Sequence, residues 1–369
     1  MPMSDRPALE FLILCGFLGS GKTTLLSQFL RGRDLHDTAV IVNEAGEVGI
    51  DAAILQANAP EDPVLMLDNG CVCCSLRSSL VDTVLRLVES PRPMGMPPLA
   101  RIVLETSGIS RPGAVLASLR DRDLVKWPLD FRVLCTFDAS RTTAALDATM
   151  DEALAQWAAA HRIVLTKLDL VDPCKRAAAR AAVRQINPLA ELIDEPELEQ
   201  RIAGAFGSAR PDPAPVEARE ILDGPAMPEA LEPESLGTSL AHPRIRVFRG
   251  DPEPAMDWAR FSAWVDDLAA LLGERLLRFK AIVDLSDSPW PVMLQSVGTE
   301  FGAPQPAPPR RATDDALQAG PISSIIVIAR DCDPDWIAEH LAGAPVRLRA
   351  WRARLRARAA RWPGGSQQI

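Results

Sequence analysis

Two short strings bring together residue types suited to chemistry. The first, Gly16-Phe17-Leu18-Gly19-Ser20-Gly21-Lys22-Thr23-Thr24, fits G-x-x-x-x-G-K-[ST] and follows the apolar run Phe11 to Cys15. That spacing makes a phosphate cradle. The three glycines let the backbone fold back with its N–H groups facing inward, Lys22 reaches the outer phosphates, and the Thr23 hydroxyl takes a Mg²⁺ position. Ser20 and Thr24 complete the nucleotide-contacting string. The second, Cys71-x-Cys73-Cys74, puts two or three sulfurs within reach of one soft or borderline metal such as Zn²⁺. Cys74 immediately precedes a helix expected over Ser75 to Leu87, and a helix N-terminus favours the thiolate that metal binding needs. Three sulfurs leave a fourth position for water, for a carboxylate such as Glu44, or for a partner's ligand, as an exchangeable site requires. Inert buried cysteines, a redox pair and a permanent structural zinc are the competing readings.

Further candidates follow other apolar runs. Glu105 comes directly after Ile102-Val103-Leu104, where a strand-end carboxylate holds Mg²⁺ beside a phosphate cradle. Gly108, three residues on, supplies a backbone N–H near a γ-phosphate, so this loop is able to sense hydrolysis. Thr166-Lys167-Leu168-Asp169 reads the base. A carboxylate at Asp169 accepts from N1–H and the exocyclic amine of guanine, the Lys167 stem covers the purine plane, and GTP is favoured over ATP. Thr166 stands where the usual string begins with Asn, so one carboxamide contact is missing and specificity is expected to fall somewhat.

These motifs need elements to hold them. From residue 11 to about 195 a β-rich apolar run, a polar or glycine-bearing loop and a helix-period segment recur, the signature of a parallel sheet with crossover helices. The expected strands are Phe11 to Cys15, Thr38 to Val42, Val64 to Leu67, Arg101 to Leu104, Arg132 to Phe137 and Arg162 to Leu165, with Leu189 to Ile193 weaker. Leu76, Leu80, Val84 and Leu87 form one apolar helix face. In such a sheet ligands collect at the carboxyl edge of the strands, so all five motifs, counting Asn43 to Asp51, share one rim.

The chain has 369 residues and a net charge of −9, which suits two soluble domains and argues against binding nucleic acid through overall charge. Seven unevenly spread cysteines are not a disulfide framework. No apolar stretch approaches the ~20 residues of a membrane span and no signal peptide is recognisable, so a cytoplasmic protein is expected. Residues 191 to 240 hold twelve acidic residues, three arginines and seven prolines, reading as a helix over Glu197 to Ala205 and a flexible connector.

Beyond His242, strand-like Arg244 to Phe248, Leu276 to Leu285, Val292 to Val297 and Ile322 to Ala329, with helices at Trp258 to Leu272 and Trp336 to Leu341, describe an α+β domain with about four antiparallel strands. From Val346 onward there are seven arginines and no acids, and Leu348, Trp351, Leu355, Ala359 and Trp362 form a stripe at three-to-four spacing. A basic amphipathic helix is expected there, able to touch RNA, acidic lipid or an acidic partner, or to dock on its own acidic domain. The organisation is therefore 1–195 P-loop domain, 196–242 acidic proline-rich connector, 243–345 α+β domain and 346–369 basic tail.

Taken in order, the P-loop, Asn43-Glu44-Ala45-Gly46-Glu47-Val48-Gly49-Ile50-Asp51, Gly70-Cys71-Val72-Cys73-Cys74, Glu105-Thr106-Ser107-Gly108 and Thr166-Lys167-Leu168-Asp169 resemble the CobW-like P-loop GTPases, metal-handling proteins. The resemblance extends into the second half through Arg278-Phe279-Lys280-Ala281 and Ile325-Ile326-Val327-Ile328. It implies an α/β P-loop NTPase fold with a mostly parallel sheet and a smaller α+β carboxyl-terminal domain. It implies GTP and Mg²⁺ as cofactors, with Lys22, Glu44 and Glu105 catalytic and Asp51, Thr23 and Glu105 around Mg²⁺. It further implies Zn²⁺ or Co²⁺ on Cys71, Cys73 and Cys74, passed to a client metalloprotein or metal-insertion complex, with oligomers possible. The chain departs from many relatives in lacking a histidine-rich stretch: His36, His161, His242 and His340 are well separated. No arginine is recognisable as an arginine finger, so intrinsic turnover is expected to be slow. Two other readings remain: a P-loop ATPase or kinase with structural cysteines, and a GTP-regulated module binding protein or RNA through its tail.

Overall fold

A computed structural model describes residues 8–31, 36–42, 64–66, 76–92, 94–141, 151–207, 244–307, 323–341 and 343–350. Glu44, Asp51, Cys71, Cys73 and Cys74 lie outside these residues, as does the tail beyond Ala350.

The first half builds one sheet from β1 (Leu9–Gly16), β2 (Thr38–Val42), β3 (Val64–Met66), β4 (Arg101–Glu105), β5 (Leu129–Asp138), β6 (Arg162–Thr166) and β7 (Glu191–Ile193). Their order is β3-β2-β4-β1-β5-β6-β7, and every pairing is parallel. Fully buried Ile102, Val103 and Leu104 show why these runs read as unbroken apolar strings: helices cover both faces. On one face α1 (Lys22–Leu30) packs with α6 (Leu198–Phe206), where Phe29 and Phe206 stack 4.0 Å apart. The other face carries α2 (Leu76–Glu89), α3 (Pro112–Ser118), α4 (Asp151–Ala159) and α5 (Pro173–Ile186). Leu80 and Val84 are buried there, as the helical stripe requires.

The second sheet is antiparallel. It contains β8 (Ile245–Pro252), β9 (Leu276–Val283), β10 (Val292–Val297), β11 (Glu300–Phe301), β12 (Gln305–Pro306), β13 (Ser324–Arg330) and β14 (Val346–Ala350). Along β13 the faces alternate: Ile325, Val327 and Ala329 join the core under α7 (Trp258–Leu272), whereas Ile326 and Ile328 pack toward the first sheet's helices. Both faces are therefore buried. A short helix, α8 (Pro334–His340), is capped by the Asp333 carboxylate, which accepts from Asp335 N.

Two expectations need correction. The sheet exceeds four strands, because the edge pieces β11, β12 and β14 add to it. Val346 to Ala350 is strand, not the start of a basic helix: Val346 is buried against α7's core, Arg347 and Arg349 point outward, and β14 pairs antiparallel with β8. Pairing along an open sheet edge satisfies the backbone and buries the alternate apolar residues, which outweighs the helical spacing of Leu348 with residues beyond. The boundary at 346 accordingly cuts a strand.

Candidate functional site

The P-loop sits between β1 and α1 because its residues permit nothing more regular. Gly16, Gly19 and Gly21 have φ of 145°, 72° and 91°, conformations costly for any residue with a side chain. A Cβ on Gly16 would stand 2.1 Å from the Thr136 hydroxyl oxygen, so only glycine fits beside β5. Helix α1 begins without a side-chain cap and without acids in its first turn, leaving its first N–H groups turned toward an anion. Lys22 Nζ donates to the Gly16 carbonyl at 2.9 Å, which holds the ammonium over the mouth of the loop. The floor is fixed by Ser20, whose buried Oγ lies 2.6 Å from Thr136 Oγ1.

Two oxygens, one from α1 and one from the end of β4, meet beside the loop. Thr23 Oγ1 donates to Glu105 Oε1 at 2.6 Å, across 82 residues of sequence, and Glu105 is only 5% exposed. A hydroxyl and a carboxylate at the phosphate end of a P-loop form a hard-oxygen donor set, which suits Mg²⁺. Thr24, on the exposed side of α1's first turn, takes no part in this contact.

Gly108 packs directly against the P-loop: a Cβ there would lie 2.6 Å from Leu18 Cδ2 and 2.8 Å from Leu18 N. The loop is held from beneath by a residue that sequence reasoning missed. Gln156 of α4 is fully buried, and its Nε2 donates to Ser110 O at 2.8 Å and Gly108 O at 3.1 Å. A lone Gln in an alanine-rich helix carries no sequence signal, because its partners are 46 and 48 residues away.

At the other end of the rim, Lys167 has φ 55°, which turns its side chain back to Asp138, where Nζ donates to Oδ2 at 2.6 Å. Burial alone would raise the Asp138 carboxyl, but the Lys167 ammonium and the Ser140 hydroxyl and N–H outweigh it and hold the group below its ordinary range. Asp169, two residues on from Lys167, is exposed. Thr166 does not simply lack a contact. Its hydroxyl donates within reach of Ser20 O at 2.7 Å and Phe137 O at 3.1 Å, tying the turn after β6 to the P-loop.

Arg141, also unanticipated, lies on the outside of the P-loop. Its guanidinium donates to Leu18 O at 3.1 Å and covers the Phe17 ring at 5.3 Å. Below the loop, Cys15 and Cys135 face each other in register on β1 and β5; burial and the neighbouring Cys15 push the Cys135 thiol well up, so that thiol stays neutral. The structure thus brings Gly16, Gly19, Ser20, Gly21, Lys22, Thr23, Glu105, Gly108, Thr166, Lys167 and Asp169 to one rim. Of the expected site, Glu44, Asp51 and the three clustered cysteines lie outside the described residues.

The chain is similar to several known proteins. A zinc chaperone CobW from Sinorhizobium sp is 26% identical over 325 residues, covering 81% of this chain and 88% of that protein. The zinc chaperone YjiA of Escherichia coli K12 is 33% identical over 172 residues, covering 46% of this chain and 52% of YjiA. A zinc-regulated GTPase metalloprotein activator 1 from Schizosaccharomyces pombe is 29% identical, covering 49% and 44%. The chain thus spans about half the length of these last two relatives. In fold, it matches the crystal structure of Zn(II)-bound YjiA GTPase from E. coli with a TM-score of 0.58 at 21% identity, over 92% of this chain and 99% of that one. The family profile described as cobalamin synthesis protein cobW C-terminal domain matches residues 245–344. Residues 10–194 match the profile of the CobW/HypB/UreG nucleotide-binding domain, and the chain belongs to that family.

Proposed function

We propose that this chain is a GTP-hydrolysing metallochaperone, in which nucleotide state governs the holding and release of a divalent metal on Cys71, Cys73 and Cys74. As a CobW/HypB/UreG protein it is a P-loop GTPase. The observation that carries the reading is the contact between Thr23 and Glu105 inside a rim that also presents Lys22 and Asp169. Phosphoryl transfer asks for positioning and charge neutralisation more than covalent chemistry, and these residues provide both. Lys22 and the N–H groups of Gly19 to Thr24 hold the phosphates; the packing of Gly108 against the P-loop supports a γ-phosphate contact from its N–H. Thr23 and Glu105, with Asp51, would hold Mg²⁺, which when bound neutralises phosphate charge. Glu44 belongs to the segment that answers to the nucleotide. Lys167 and Asp169 choose guanine.

Thiolates suit Zn²⁺ and also Co²⁺, and the zinc-chaperone relatives favour zinc as the cargo. The cargo passes to a client metalloprotein, in keeping with the activator relative. The domain limits follow as 1–195 for the GTPase, 196–242 for the connector and from 243 for the carboxyl-terminal domain, now including β14. Among the described residues no helix is long and apolar enough to cross a membrane, and a cytoplasmic site of action fits the free cysteines. The test is metal analysis of the purified chain beside a Cys71→Ser, Cys73→Ser, Cys74→Ser triple variant. Stoichiometric Zn²⁺ lost in the variant, with GTP binding intact, is expected; stoichiometric metal retained would move the site elsewhere.

A further inference from the structure

Helix α4 is attached to the second sheet at both ends. At its start the Asp151 carboxylate accepts from Arg244 of β8's leading edge and from Arg330 of β13, the latter at 3.2 Å. Arg244 is itself braced by Asp331 at 2.6 and 2.9 Å. At the helix end, the carbonyl of Ala159 accepts from Arg278 Nη1 at 2.8 Å, and Arg278 of β9 is 2% exposed. A guanidinium on a last-turn carbonyl also meets the negative end of the helix dipole. Between these anchors stands Gln156, holding the carbonyls of Gly108 and Ser110.

The loop itself is connected to the same sheet. Arg111, the residue after Ser110, pairs with Glu152 of α4 at 3.3 Å and with Glu274, ahead of β9, at 3.4 Å. Helix α3, which follows, starts so near the sheet that a Cβ on Gly113 would meet Val297 O at 3.5 Å. Arg120 after α3 donates to Phe301 O at 2.7 Å. Packed interiors transmit small displacements instead of absorbing them, so a shift of the second sheet is carried into α4 and the loop.

We infer that Gln156 is a positioning residue for GTP hydrolysis, and that α4 makes the position of the Thr106 to Ser110 loop answer to the carboxyl-terminal sheet. The inference rests on the GTPase reading. A partner that moves this sheet alters the hydrolysis rate, and by linkage the nucleotide alters affinity for that partner. Gln156 acts through Gly108 and touches no phosphate.

Single-turnover and steady-state GTP hydrolysis of the full chain, with GDP affinity and thermal midpoint alongside, test it in Asp151→Asn, Gln156→Met and the double variant. Gln156→Met is expected to lower kcat about tenfold, equal to about 1.4 kcal/mol, with KM and GDP affinity within twofold. Asp151→Asn, at a half-exposed helix start, is expected to change kcat at least threefold, and the double variant to be no slower than Gln156→Met alone. Unchanged kcat in Asp151→Asn, or fold-changes that multiply in the double variant, would overturn the coupling. Unchanged kcat in Gln156→Met would remove its positioning role; should that variant fail to fold, Gln156→Asn, whose amide falls one methylene short of the Gly108 and Ser110 carbonyls, takes its place with the same expected loss. No GTP hydrolysis by the unmodified chain would instead remove the GTPase reading.

Discussion

Replacing Gly108 by Ala tests whether the loop must lie against the P-loop. The added Cβ meets Leu18 N at 2.8 Å and Leu18 Cδ2 at 2.6 Å, where ordinary contact begins at 3.4 Å. The side-chain clash is relieved by rotating Leu18, which is 54% exposed. The clash with Leu18 N is not, because that atom belongs to the P-loop backbone. Loop and backbone must part by some tenths of an ångström, and overpacking of this kind typically costs about 1–3 kcal/mol. GDP has no γ-phosphate for the displaced loop to meet, so most of that cost falls on the transition state. The expected result is a kcat lower by about fivefold to about a hundredfold at 1.4 kcal/mol per decade, with GDP affinity changed less than threefold. Gly302→Ala is the control, since its Cβ has only Gln295 O at 3.8 Å. A Gly108→Ala protein with unchanged kcat and stability would refute the packing argument.

Thr166→Val removes a hydroxyl with two carbonyl partners and keeps its shape, so denaturant titration should show a loss of about 1–2 kcal/mol. Thr166→Asn restores the missing carboxamide, and competition assays should show GTP preferred over ATP more strongly than before; unchanged preference would mean that residue 166 serves only the turn. Asp138, its carboxyl held below the ordinary range by Lys167 and Ser140, stabilises the fold above an unfolded value of about 3.9 and loses that contribution as pH falls through its lower folded value. Thermal midpoints taken from pH 6 to pH 3 should therefore decline more gently for Asp138→Asn than for the parent below about pH 4.

The parallel sheet was legible because its strands are buried on both faces, so runs such as Ile102-Val103-Leu104 announce themselves without alternation. Helix α7 begins at Trp258 and ends at Leu272, as expected from the sequence, and the Asp257 carboxylate caps it by accepting from Arg260 N. The P-loop, Glu105 and Asp169 were legible because each sits at a strand end, where chain position alone brings it to the rim. Val346 to Ala350 misled because Val-Arg-Leu-Arg-Ala fits both a two-residue alternation and the head of a longer helical stripe; the open edge of β8 decided between them. Gln156, Arg141 and the Asp151, Arg244, Arg330 cluster were not legible at all. Their roles arise from contacts across 46 to 179 residues, which no local pattern encodes.

If nucleotide state governs the metal site, the two ligands are thermodynamically linked. Zn²⁺ affinity measured for the chain bound to a non-hydrolysable GTP analogue, to GDP and to no nucleotide tests it most directly. Affinities are expected to differ at least fivefold between the GTP-analogue and GDP states, a coupling of about 1 kcal/mol or more. Equal Zn²⁺ affinity in all three states would contradict it.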